Sequence, residues 1–131
     1  MTVRDTRAMI AGMAPELDQR RWAFVAVTPD RAPELLGAAL GTFREAEGVS
    51  AIVPADMADQ EPAFARIVLT VHSALEGVGL TAAVATTLAD AGIACNVVAA
   101  LHHDHLFIPV DRAGDAMAAL QALAAGATTA D

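Results

Sequence analysis

Residues 69–98 read LTVHSALEGVGLTAAVATTLADAGIACNVV. The stretch opens inside ARIVLTVHS (65–73), the strongest strand pattern in the chain, and then its period changes. Leu80, Val84, Leu88 and Ala91 recur at three- and four-residue intervals, which predicts a helix between Leu75 and Ala91 with Gly92 as its stop. IACNVVAAL (93–101) returns to strand and LFIPV (106–110) supplies its hairpin partner. DRAGDAMAALQALAAG reads as a closing helix with Asp111 as N-cap and Gly126 as stop, and ATTAD (127–131) as a frayed tail. Strand, helix, strand, strand, helix is most of a split βαβ, or ferredoxin-like, unit.

Upstream the pattern is weaker. WAFVAVT (22–28) lies between a charged stretch and Pro29-Asp30, as a covered strand does. Before it, Met9, Ile10, Met13 and Leu17 are spaced for a short helix interrupted near Pro15. PELLGAALGTFREAEG carries too many glycines to define a helix. VSAIVP (49–54) reads as a strand after a turn at Glu47-Gly48, and ADMADQ (55–60) as one or two helical turns. VSAIVP followed by ADMADQ echoes LFIPV followed by DRAGDAM: a strand ending near proline, then an aspartate-led helical segment. A duplication would make the chain two small α+β units.

A chain of 131 residues that is 55% hydrophobic needs neither disulfide nor metal to form a core. Its single cysteine, Cys95, sits in an apolar run and reads as a buried thiol in a reducing compartment. With a net charge of −8 and scattered basic residues, nothing would neutralise a run of phosphates, so nucleic acid is excluded as a partner. The N-terminal stretch lacks the pattern of a signal peptide, and no apolar run is long enough to span a membrane, so the expected location is cytoplasmic.

The same stretch, with Gly79, Val84, Leu88, Gly92 and Ile93 at its key offsets, resembles the opening of an ACT domain, the small amino-acid-sensing fold of biosynthetic enzymes and regulators. VHSALEGVGLTAA with CNVVAALHHDHLFIP, preceded by TFREAEG, is similar to small stand-alone tandem ACT-like proteins from about Trp22 to Leu123. Thr81 stands where leucine is usual, Val78 where proline is common, and His72-Ser73 where an aspartate ends the first strand. The resemblance implies an α+β chain of tandem ferredoxin-like βαββα(β) units, antiparallel sheets with helices on one face. Residues 1–64 would form a degenerate N-terminal unit and 65–126 the C-terminal one. It implies a non-catalytic regulatory protein that binds a small molecule, an amino acid, in the loop before the helix, and calls for no cofactor. The alternatives are an adaptor subunit without a small ligand, or a metal-binding protein through its histidine-rich hairpin.

The residues themselves leave several readings open. A glycine-bearing loop entering a helix exposes N–H groups and a positive dipole end that suit a carboxylate, which makes His72, Ser73, Leu75, Glu76, Gly77, Val78, Gly79, Leu80 and Thr81 ligand candidates; glycines that merely permit a turn are the plainer account. A βαβ crossover points strands 65–73 and 93–101 the same way, placing His72 near HHDH (102–105). Asn96, His103, Asp104 and His105 join the candidates on that ground, His105 being the one expected nearest the loop. His72 with two of His103, Asp104 and His105 has the ligand types of a zinc site, but no matching spacing, so the expectation is a polar turn without metal. Neighbouring strand residues face opposite ways, so His72-Ser73 makes no proton relay and no catalytic residue is expected. Phe43, Arg44 and Glu45 form a second polar cluster, with Arg44 either receiving a carboxylate or paired locally at a charged hairpin tip. Strands 93–110 are apolar on both faces around Asn96, which predicts a homodimer or a higher even oligomer.

Overall fold

The computed structural model describes residues 5–59, 61–71, 75 and 77–129. In chain order its elements are α1 (Thr6–Ala11), β1 (Pro15–Ala26), α2 (Ala32–Ala38), β2 (Gly41–Glu45), β3 (Gly48–Pro54), β4 (Phe64–Leu69), α3 (Leu80–Asp90), β5 (Asn96–Ala99), β6 (Asp104–Pro109) and α4 (Ala113–Thr129), with 3-10 turns at Ala55–Met57 and Val110–Arg112. The chain divides into two compact units. The smaller runs from Gln19 to Phe64, and the larger takes the chain up to Asp18 and again from Ala65.

In the larger unit β6 lies between β4 and β5, the strand order of a split βαβ unit. β5 and β6 pair antiparallel with Val97 opposite Leu106 and Val98 opposite His105. Alternation then decides which side chains meet the helices. Ile67 and Leu69 of β4 and Leu106 and Ile108 of β6 face Val84 and Leu88 of α3, Ala116 and Leu120 of α4, and Met9 and Met13 around α1, all of them buried. Each such Leu, Ile or Met contributes roughly 1.5–3 kcal/mol by leaving water. Cys95 packs against this core, and burial pushes its thiol up to about 11, so it stays protonated at neutral pH.

The smaller unit repeats the plan with fewer parts. β3 lies between β2 and β1, paired antiparallel to both, with Trp22 opposite Pro54 and Glu45 opposite Gly48. Gly48, at φ +133, closes the two-residue β2–β3 turn in a conformation that favours glycine. α2 buries Leu35 against Ala51 and Val53. The duplication suspected from sequence is visible at the strand ends. Pro54 (φ −52, ψ 137) and Pro109 (φ −51, ψ 136) leave β3 and β6 alike, each into a 3-10 turn.

Several boundaries differ from the sequence reading. β1 starts at Pro15 rather than Trp22, because its first half is amphipathic and mostly exposed; Asp18 there is held by Arg66 of β4, with Nε and Nη2 each 2.9 Å from the carboxylate. α1 ends at Gly12, and a positive-φ turn at Ala14, anchored by the Thr70 hydroxyl donating to the Ala14 carbonyl at 2.9 Å, turns the chain into β1. α3 begins at Leu80 rather than Leu75, since Gly79 at φ +105 cannot continue a right-handed helix. Asp111 lies in a 3-10 turn instead of capping α4, and α4 runs through Gly126 to Thr129. Residues 93–95 are not strand, so β5 is confined to Asn96–Ala99. The antiparallel sheets with helices on one face establish the expected α+β, ferredoxin-like class.

Candidate functional site

The candidate site lies in the larger unit, where the loop into α3 meets the β5–β6 turn. Leu75, Gly77, Leu80 and Thr81 from the loop and helix, Ala99, Ala100 and Asp104 from the hairpin, and Met9 from α1 line a cavity of about 60 Å³. The first intrahelical bond of α3 runs from the Ala83 N–H to the Gly79 carbonyl at 2.9 Å. The N–H groups of Leu80, Thr81 and Ala82 therefore have no acceptor within the helix, and they lie at its positive end. Opposite stands the carboxylate of Asp104. Burial raises its pKa against the opposing pull of His105 and His103. The start of α3 and Asp104 thus line one small space, an arrangement matched to a group carrying both charges.

Gly79 does a different job from the one its spacing suggests. A side chain built there would come within 2.6 Å of the Thr6 methyl, so the close approach that this glycine permits is made by α1. The Thr6 hydroxyl donates to the Val78 carbonyl. Val78 is 78% exposed, Leu75 68%, and Leu101, at the neighbouring turn, 69%.

The histidine-rich stretch divides. The turn itself is Ala100–His103, closed by the Ala100 N–H donating to the His103 carbonyl at 3.0 Å, while Asp104 and His105 already belong to β6. Adjacent strand residues point to opposite faces. Asp104 accordingly joins the cavity, and His105 turns away from it to accept from Arg66 Nη1 at its Nδ1, 3.2 Å away. Of the two, Asp104 lines the cavity; His72, beside which His105 was expected, lies outside the described residues. Arg66 can only donate, so the His105 proton sits on Nε2, and burial and the guanidinium together lower its pKa. His103 stacks edge-on with His102, their ring centres 6.3 Å apart. Among the described residues no three His, Cys, Asp or Glu side chains gather as a metal-ligand set.

The other candidates scatter. Asn96 is exposed on β5 opposite Phe107, facing away from the helices. Phe43, Arg44 and Glu45 lie exposed on β2 in the smaller unit. His72, Ser73 and Glu76 lie outside the described residues. Met9, Ala99 and Ala100 complete the cavity without having been singled out by sequence. Their only signal is apolar patterning, which core residues share.

Models of the ACT domain match residues 2–64 and 66–122. Among solved structures, a Vibrio cholerae protein of unknown function, described as a possible transport protein, is 38% identical over 88% of this chain and 92% of its own, with a TM-score of 0.76. An Agrobacterium tumefaciens protein superposes with a TM-score of 0.64 at 16% identity, over 84% of this chain and 87% of its own. The ligand-free regulatory subunit of aspartate kinase from Thermus thermophilus does so with 0.60 at 12% identity, over 86% and 98%. At those identities the last two share the fold alone. No curated protein sequence matches the chain. No described helix is long and apolar enough to cross a membrane.

Proposed function

This chain belongs to the ACT domain family, two such domains in tandem, and on that premise we propose that it is a non-catalytic regulatory protein that binds a free amino acid in the cavity between the α3 N-terminus and Asp104. ACT domains are commonly regulatory modules for small molecules, and the matches indicate no catalytic family. The observation that carries the reading is the pairing of opposite electrostatics across one cavity. Unbonded N–H groups at the start of α3 suit the α-carboxylate, and the Asp104 carboxylate suits the α-ammonium. A space of about 60 Å³ takes that head group and leaves the ligand side chain to Leu75, with the exposed Val78 and Leu101 next in sequence to the lining residues Gly77 and Ala100.

A thermal-shift series over the standard amino acids tests this. One of them at about 100 times its Kd should stabilise the protein by roughly 2.7 kcal/mol, while its α-hydroxy analogue, lacking the ammonium, should do little. Asp104→Asn should remove the discrimination between the two. Affinity should fall on acidification, and earlier than an ordinary aspartate would make it, because burial raises the Asp104 carboxyl and its protonation removes the charge. If no amino acid shifts the melting temperature, the same exposed side chains favour the second reading, an interaction subunit that uses them against a protein partner. In either case they support association into a homodimer.

A further inference from the structure

On the sheet face away from the helices, a run of polar side chains crosses β1, β4 and β6. Arg66 of β4 holds Asp18 of β1 with Nε and Nη2, each 2.9 Å from Oδ2, and turns Nη1 to Nδ1 of His105 on β6, 3.2 Å away. The Arg66 and Asp18 side chains keep only 18% and 15% of their surface in water, so their charges are weakly screened. Asp18 pins the guanidinium in place.

The contact with His105 exists in one protonation state only. A guanidinium has no acceptor, so Nδ1 meets it with a lone pair and the ring is neutral. A proton on Nδ1 would set two N–H groups and two positive charges against each other at hydrogen-bond distance, and the ring would have to leave Arg66. The other charges around the ring do not compensate. β5 sets Val98 opposite and carries no charge along Asn96–Ala99, the turn brings the basic His102 and His103, and the charge of Asp18 is spent on Arg66. Burial, Arg66 and His103 all oppose the proton, and only Asp104, on the other face of β6, favours it.

His105 also stands where the hairpin is weakest. It is paired with Val98, and Asp104 with Ala99, the last pairs before the turn. β5 is an edge strand on which Asn96, Val98 and Ala99 are exposed, so little apolar surface fastens this end. The Arg66–His105 bond ties it to β4, and the residue next to His105 is Asp104, which lines the cavity.

We propose that His105 is a proton-operated latch on the β5–β6 hairpin: neutral, it is held by Arg66 and keeps Asp104 at the cavity; protonated, it is expelled from Arg66 and frees that end of the hairpin to move. The latch regulates the cavity of the function proposed above and rests on that reading only for what is bound there. Binding at Asp104 then depends on its neighbour's proton as well as its own. By linkage, a bound ammonium that neutralises Asp104 makes His105 harder to protonate.

NMR of the ligand-free full chain, from about pH 8 to the acid side of the His105 midpoint, tests the latch without any ligand. Ring 15N shifts should show the neutral His105 ring protonated at Nε2, and the backbone amides of Val98, Ala99, Ala100 and Asp104 should shift with the midpoint of that ring. In Arg66→Gln the His105 midpoint should rise by about one pH unit, because a facing cation is lost. In His105→Gln the step at these amides should vanish while His102 and His103 still titrate. His105→Gln keeps the Arg66–Asp18 pair, so it decides the matter even where Arg66→Gln loosens the fold. Amides that follow His102 or His103, amides that keep their step in His105→Gln, or a neutral ring protonated at Nδ1 overturn the latch. The expected amide shifts in a protein that binds no amino acid support the latch and overturn the reading of the cavity; amino-acid binding without an amide step at the His105 midpoint does the reverse.

Discussion

A single glycine ties the loop to α1. Gly79 has both a positive φ and a Thr6 side chain where its own would stand. Gly79→Ala should cost about 1–3 kcal/mol from backbone strain and crowding together. Thr6→Ala removes the crowding atoms and leaves the strain, so a double-mutant cycle by urea denaturation should show a coupling of 0.5 kcal/mol or more. Strict additivity would mean that Thr6 does not press on this site. A loss of ligand binding in a Gly79 variant is thus no measure of ligand contact, whereas Asp104→Asn is. At His105 the sign follows from its lowered pKa. Between the ordinary value of 6.5 and its lower folded value the unfolded chain binds the extra proton, so stability falls as pH falls through that window. Asp104, raised above 3.8, contributes oppositely at lower pH. Chemical denaturation at neutral and mildly acid pH should show the loss, and His105→Gln should flatten it.

Elements were legible in the sequence where packing and local chemistry agree. The α3 pattern of Leu80, Val84 and Leu88 is the buried stripe, and Gly92, at φ +71, ends the helix as read. Gly126 carried the same letter without the same geometry. It lies inside α4 with open space around the position of a Cβ, so Gly126→Ala should stabilise the protein by up to about 1 kcal/mol, measured as a raised melting temperature. A helix stop at Gly126 would instead make that change costly. The start of β1 was hidden because Glu16, Leu17, Gln19, Arg20 and Arg21 are exposed and Asp18 finds its partner 48 residues away. Half of the site was hidden likewise. The loop could be read from its glycines, but the choice of Asp104 over His105 depends on where the strand begins, and a shift of one residue exchanges the faces.

At the scale of the whole molecule, Leu75, Val78 and Leu101 are exposed on the two segments of the larger unit that line the cavity, the loop before α3 and the β5–β6 turn. A protein that keeps three such side chains in water is expected to bury them by association. Sedimentation should give a dimer at micromolar concentration, and Val78→Asp or Leu101→Asp should shift it towards monomer. A wild-type monomer at that concentration would sink the dimer. The larger unit also takes parts from both ends of the sequence. The Arg7 guanidinium reaches the Ala127 carbonyl at 3.0 Å, joining α1 to the last turn of α4. During synthesis the smaller unit has all its residues once Phe64 has emerged, while Met9 and Met13 must wait for Leu120. Residues near Met9 therefore complete their packing only when α4 has joined Ile67, Leu69, Val84 and Leu88 around them, so the larger unit closes late and through contacts distant in sequence.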